Sequence, residues 1–135
     1  MFAKVQSATL QGLDAMPVAI EVDSFDSGQT ARFTIVGLPD NAVKESQERV
    51  QSALRVNHYK TPAQSVVVNL APADVKKEGS GFDLPIAIGV LLSFGFISSA
   101  NIERFMFVGE LGLDGSIMPV KGVLPISIKA RELGF

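Results

Sequence analysis

The chain has 135 residues, 47% apolar and 19% charged, with a mean hydropathy of +0.29, the make-up of one globular domain rather than a disordered segment or a coiled coil. Twelve basic and fourteen acidic residues leave a net charge of −2, so the domain as a whole is not an electrostatic nucleic-acid binder, while local patches stay open. With no cysteine and a single histidine, His58, thiolate zinc sites and cysteine nucleophiles are excluded, and a Ser-His-Asp triad would hang on one imidazole.

A chain of this size buries roughly two-thirds of the surface its unfolded form exposes, enough for a core without disulfide or metal. Its first residues, Met1 to Gln11, lack a basic start followed by an apolar stretch, and no apolar run reaches the roughly 18 residues of a membrane span. A soluble, cytoplasmic protein with no membrane partner is expected.

Residues 2–10 and 17–25 read as strands, the second alternating Val18, Ile20 and Val22 against Ala19, Glu21 and Asp23, with turn chemistry in Gln11-Gly-Leu-Asp14 between them. Residues 31–36 alternate again and stop at Gly37, and three closely spaced strands suggest an antiparallel meander. From Pro39 to Asn57 the period changes: Val43, Val50 and Leu54 share one helical face, while Lys44, Glu45, Glu48 and Arg49 share the other. Pro39 suits the first turn, and Glu45 stands four residues before Arg49. Ser65 to Leu70 is a β-branched run of the central-strand kind. Leu84 to Phe94 is apolar almost all round and predicts a buried helix. Residues 105–111 and 116–120 read as strands around Asp114-Gly115, and 124–132 as a last helix stopped by Gly134. The order βββ-α-β-α-ββ-α defines an α+β, or mixed α/β, domain.

Chemistry concentrates in Asp74 to Asp83, between the central strand and the buried helix. Gly79, Ser80 and Gly81 leave the backbone free to turn N–H groups toward a phosphate, a carboxylate or a developing oxyanion. Equally, Asp83 is placed to cap the helix through the Ile86 N–H, with Pro85 in its first turn. No G-x-x-x-x-G-K-[ST] and no G-x-G-x-x-G after a strand is present, so the chain does not bind ATP through either loop. Ser80 beside Lys76 and Lys77 raises a Ser-Lys nucleophile, although lysines in a loop ordinarily stay charged and solvated. Glu110 and Asp114 offer two carboxylates to a cation, or simply a solvated hairpin rim. Arg55, His58 and Lys60 gather cationic groups at a helix end, where His58 also suits the helix dipole; they form a candidate phosphate-contacting patch.

Val36-Gly-Leu-Pro-Asp40, Ala42 to Ser46, Glu48-Arg49-Val50, Asn69 to Asp74, Lys77-Glu-Gly79, Phe82 to Ala87 and Val108 to Gly115 together resemble the N-terminal domain of the ComM/YifB family, the magnesium-chelatase-like AAA+ ATPases. The resemblance runs over essentially the whole chain. It implies a Lon-protease-like fold, of the ribosomal protein S5 domain 2 type, placed before a AAA+ motor that this chain lacks. It further implies a hexameric helicase that drives branch migration during natural transformation, with ATP and Mg²⁺ used by the motor and no cofactor or metal in this domain. Partners would be the motor, sister subunits of the ring, and DNA, for which Lys76, Lys77, Gly79, Ser80, Gly81, Arg55, His58 and Lys60 are the contact candidates. RadA recombination ATPases carry a comparable Val-Gly-Glu-Leu-Gly-Leu-Asp-Gly stretch in a domain that scaffolds assembly and meets DNA.

Lon proteases hold their nucleophile in Lys-Asp-Gly-Pro-Ser-Ala-Gly. Laid on that motif, Lys77 to Asp83 puts Gly81 at the serine and Ser80 at the proline, and an ungapped extension from Val108 puts Leu124 at the lysine. The resemblance therefore implies a fold kept and a hydrolase lost, with no catalytic residue; a residual hydrolase using Ser80 with Lys121 or Lys77, or a true magnesium-chelatase subunit, are the alternatives. Because Lon-like domains run from this last helix into a further strand, an unfilled sheet edge or an exposed apolar face on the helix is also expected, favouring dimers or strand exchange.

Overall fold

Alternation in the first 25 residues produces a long hairpin in the computed structural model, which describes all 135 residues. Strand β1 (Phe2–Gln11) pairs antiparallel with β2 (Asp14–Phe25) in the register Val5↔Ile20. That register stacks Val5 with Val18, Ile20 and Val22 on one face, all of them buried.

The third strand, β3 (Phe33–Val36), does not complete a meander. It runs parallel to β4 (Ser65–Ala71), and β4 lies antiparallel to β2, so the sheet order is β1-β2-β4-β3. The physical reason lies in β4 itself: Val66, Val68 and Leu70 are buried, and an inner position between two neighbours suits such a strand. A parallel β3–β4 pair needs a crossover, and the helical segment 41–56 supplies it. At the end of β3, Gly37 has φ +102 and lies so close to β4 that a Cβ there would sit 2.3 Å from the Leu70 carbonyl oxygen. Only glycine fits.

The crossover is two helical pieces rather than one, α1 (Asn41–Lys44) and α2 (Ser46–Val56), meeting at Glu45. Asp40 caps α1 by accepting from the Val43 N–H at 2.8 Å, which leaves Pro39 ahead of the cap instead of in the first turn. Helix α3 (Asp83–Ser93) lies over β1 and β2 and α2 packs beside it. Val43, Val50, Ala53 and Leu54 meet Phe82, Ile86, Ala87 and Val90 there to close one core over the sheet. A 3-10 turn (Ile102–Arg104) follows. The two strands expected after it shrink to β5 (Glu110–Leu111) and β6 (Ile117–Met118), while Met106 only touches β1 through a bridge to Gln6.

Helix α4 (Val123–Leu133) lies on the opposite sheet face, where Ile126 joins Ala8 and Ala15 in a second small cluster. Its outer side stays apolar and open: Leu124 is 71% exposed, and Ile128 and Leu133 are exposed too. No helix is long and apolar enough to cross a membrane.

Candidate functional site

The segment from Pro72 to Phe82 joins β4 to α3, and the structure separates its two adjacent lysines. Lys76 is exposed and pairs loosely with Glu78 at 3.8 Å. Lys77 is fully buried, its Nζ donating to the carbonyls of Gly37 (2.9 Å) and Pro72. Its backbone bonds Leu38 and Asp40 as a short parallel bridge, so the residue staples this loop to the end of β3. Burial pushes its pKa below the ordinary lysine value, against a smaller upward pull from Asp74. Enclosed in this way, Lys77 cannot reach DNA or serve Ser80, which removes it from both sets of candidates.

One N–H of the glycine loop is already taken by a carboxylate of the protein. The Gly79 N–H donates to Asp40 Oδ2 at 3.2 Å, so the negative group at this turn comes from the protein itself. Around it lies a cleft of about 530 Å³ lined by Ser80, Gly81, Thr9, Lys121 and the three acidic residues Asp40, Glu78 and Glu110. Three carboxylates against one ammonium disfavour a phosphate. Ser80 and Lys121 line this cleft together, but no hydrogen bond joins them, and Lys121 is exposed. Leu124 does not line it.

Asp83 is not the α3 cap. Ile86 N–H bonds the Phe82 carbonyl, and the carboxylate of Asp83, wholly buried, turns inward. It accepts from Ser46 Oγ (2.5 Å), from Arg49 Nε (2.6 Å) and Nη2 (3.0 Å), and from the Leu111 N–H (3.0 Å). One carboxylate thereby ties α2, α3 and β5 together. Donating to the Asp83 carboxylate raises the Arg49 pKa above its ordinary value, opposed by burial. The predicted Glu45–Arg49 pair exists at 3.5 Å but is the exposed and weaker one. Sequence reasoning found Arg49 only as its partner, because the true partner stands 34 positions away.

In the hairpin, Asp114 accepts from the N–H (2.9 Å) and hydroxyl of Ser116, and these bonds hold its pKa below the ordinary carboxylate range. Glu110 lines the Ser80 cleft, and no group of three His, Cys, Asp or Glu side chains is placed to hold a metal. Asn57, not His58, finishes α2, donating from its side chain to the Ala53 and Asp114 carbonyls, both at 2.8 Å. His58 follows in the left-handed region (φ +66), exposed. Arg55 and Lys60 are exposed on either side of it. Arg55 opens onto a second, larger cleft of about 780 Å³ bounded by α2, β3 and residues 59–64. The sequence carried no sign of this cleft, because Arg32, which also lines it, lies 23 residues from Arg55.

A family model described as subunit ChlI of Mg-chelatase matches residues 20–135, and the chain belongs to that family. Among curated relatives, the chain is 45% identical to competence protein ComM of Haemophilus influenzae over 96% of its own length and 25% of that protein. It is 39% identical to YifB of Salmonella typhimurium (98% of the chain, 26% of the relative) and 37% identical to YifB of Escherichia coli (96% and 25%). The chain thus spans about a quarter of the length of these relatives.

Proposed function

We propose that this domain is a non-catalytic accessory domain of a ComM-type AAA+ ATPase, acting in the cytoplasm to hold motor subunits in a ring, a hexamer by family resemblance, and to contact DNA during branch migration. The observation that carries the assembly role is the open apolar side of α4, where Leu124 and Ile128, one turn apart, are both exposed. ATP and Mg²⁺ belong to the motor. DNA contact falls to Arg55, His58, Lys60 and Lys76, the exposed members of the cationic set.

The test is DNA binding by the full-length protein over a salt series. Affinity should fall with a log–log slope of about −0.9 per phosphate neutralised, shallower in an Arg55→Gln, Lys60→Gln variant. An unchanged slope ends the direct-contact part and leaves assembly standing.

A second reading has one observation in its favour: Ser80 and Lys121 share a cleft. If a Ser-Lys hydrolase survives there, a serine-directed fluorophosphonate labels the protein and Ser80→Ala abolishes the labelling; no labelling at any pH removes it. A true magnesium-chelatase role is separated by assaying the full-length protein for Mg²⁺ insertion into a porphyrin.

A further inference from the structure

We propose that the cleft between α2, the β3 edge and residues 59–64 binds a nucleoside phosphate unit, either free or at an unpaired position of a strand. Its volume of about 780 Å³ suits a small-molecule site. Its charge is one-sided: in a chain where acidic residues outnumber basic ones, the lining includes Arg32 and Arg55 and not one carboxylate. Neither guanidinium has an ion-pair partner in the protein, and both residues are exposed, open to a phosphate in bidentate fashion.

The rest of the lining includes rings and amides. Phe33 and Tyr59 line the cleft, each half-buried, and Tyr59 is steadied by an edge-on contact with Phe96 at 5.4 Å. Such rings stack on a base of any identity. Gln51, one turn before Arg55 on α2, and Gln64 in the same lining each carry a donor and an acceptor, the pairing a base edge needs. An acidic peptide would use the guanidiniums but leave the rings and amides without a role.

The 135-residue chain is titrated with four probes: adenosine 5′-monophosphate, a fluorescent oligothymidylate, inorganic phosphate and a glutamate-rich peptide. Binding is followed by amide NMR shifts and, for the oligonucleotide, by anisotropy. We expect the mononucleotide, the oligonucleotide or both to shift residues 31–34, 51–55 and 59–64, with affinity reduced about tenfold in Arg32→Gln and in Arg55→Gln, the loss of one charged hydrogen bond each. Tyr59→Leu should cost about tenfold through lost stacking, and Lys4→Gln, on the far face of the sheet, nothing. The spectrum of each unliganded variant reports folding, and the two arginine variants stand if Tyr59→Leu does not fold.

Binding of the oligonucleotide alone identifies a strand as the source, and binding of the mononucleotide alone a free ligand. Only the strand source rests on the DNA-contact reading above, so mononucleotide binding without oligonucleotide binding removes the strand source and keeps this proposal, while that reading fails separately, on the salt slope of the full-length protein. The proposal is overturned if neither nucleotide binds, if inorganic phosphate binds as tightly as the mononucleotide, or if only the peptide shifts these residues.

Discussion

Asp83 receives four hydrogen bonds from two elements, α2 and β5, and breaking such a buried pair leaves an uncompensated charge. Asp83→Asn is therefore expected to cost about 3 kcal/mol in urea denaturation, with much of it regained when Arg49→Met is added. A cost below 0.5 kcal/mol would show that the pair is not a structural tie. Lys77 makes a pH prediction. Its folded pKa is lowered, so above that value the native state has released a proton that the unfolded state keeps up to about 10.4. Stability should consequently rise with pH across that alkaline window and be flat below it, apart from other groups. Lys77→Met should abolish the rise while orphaning the Gly37 and Pro72 carbonyls, at about 1–3 kcal/mol each. Unfolding midpoints of both proteins between pH 7 and 11 check it. Local sequence could not tell Lys76 from Lys77, because what separates them is the Gly37 carbonyl, 40 positions away.

Helix α2 ends in a Schellman arrangement: Tyr59 N–H bonds Leu54 and His58 N–H bonds Arg55, which forces His58 into the left-handed region. An exposed non-glycine residue there is strained, so His58→Gly should stabilise by about 1 kcal/mol, read as a higher denaturant midpoint. Gly89 behaves in the opposite way. A Cβ there would stand 2.6 Å from Val22 Cγ2, where α3 rests on the hairpin. Gly89→Ala gains about 1 kcal/mol of helix propensity and loses about 1–3 to overpacking, so net destabilisation is expected. Strands β1, β2 and β4 and helix α3 were readable from alternation and apolar runs. The pairing of β3 was not, since alternation sets a strand's inward face and is silent about its neighbour.

At the level of the whole molecule, the α4 surface makes the assembly reading testable. Leu124→Glu with Ile128→Glu alters exposed positions, so stability of the domain should change by no more than about 0.5 kcal/mol. Sedimentation of the full-length protein should nonetheless shift toward smaller species; an unchanged oligomer would place the assembly surface elsewhere. Motifs such as Val108 to Gly115 were enough to reach the family, because they are contiguous and their turn residues answer to local backbone demands. The element order was reached for the same reason, each helix or strand carrying its own period. Folding in three dimensions settled the rest. It paired β3 with β4 instead of β2, turned Asp83 from an expected cap into a tie between three elements, buried one of two neighbouring lysines, brought Asp40 to the Gly79 N–H and brought Arg32 to Arg55 across a cleft. Each of these outcomes depends on groups distant in sequence meeting in a water-poor interior, where a charge must find its partner. Period and spacing along a chain carry no record of which partner that is.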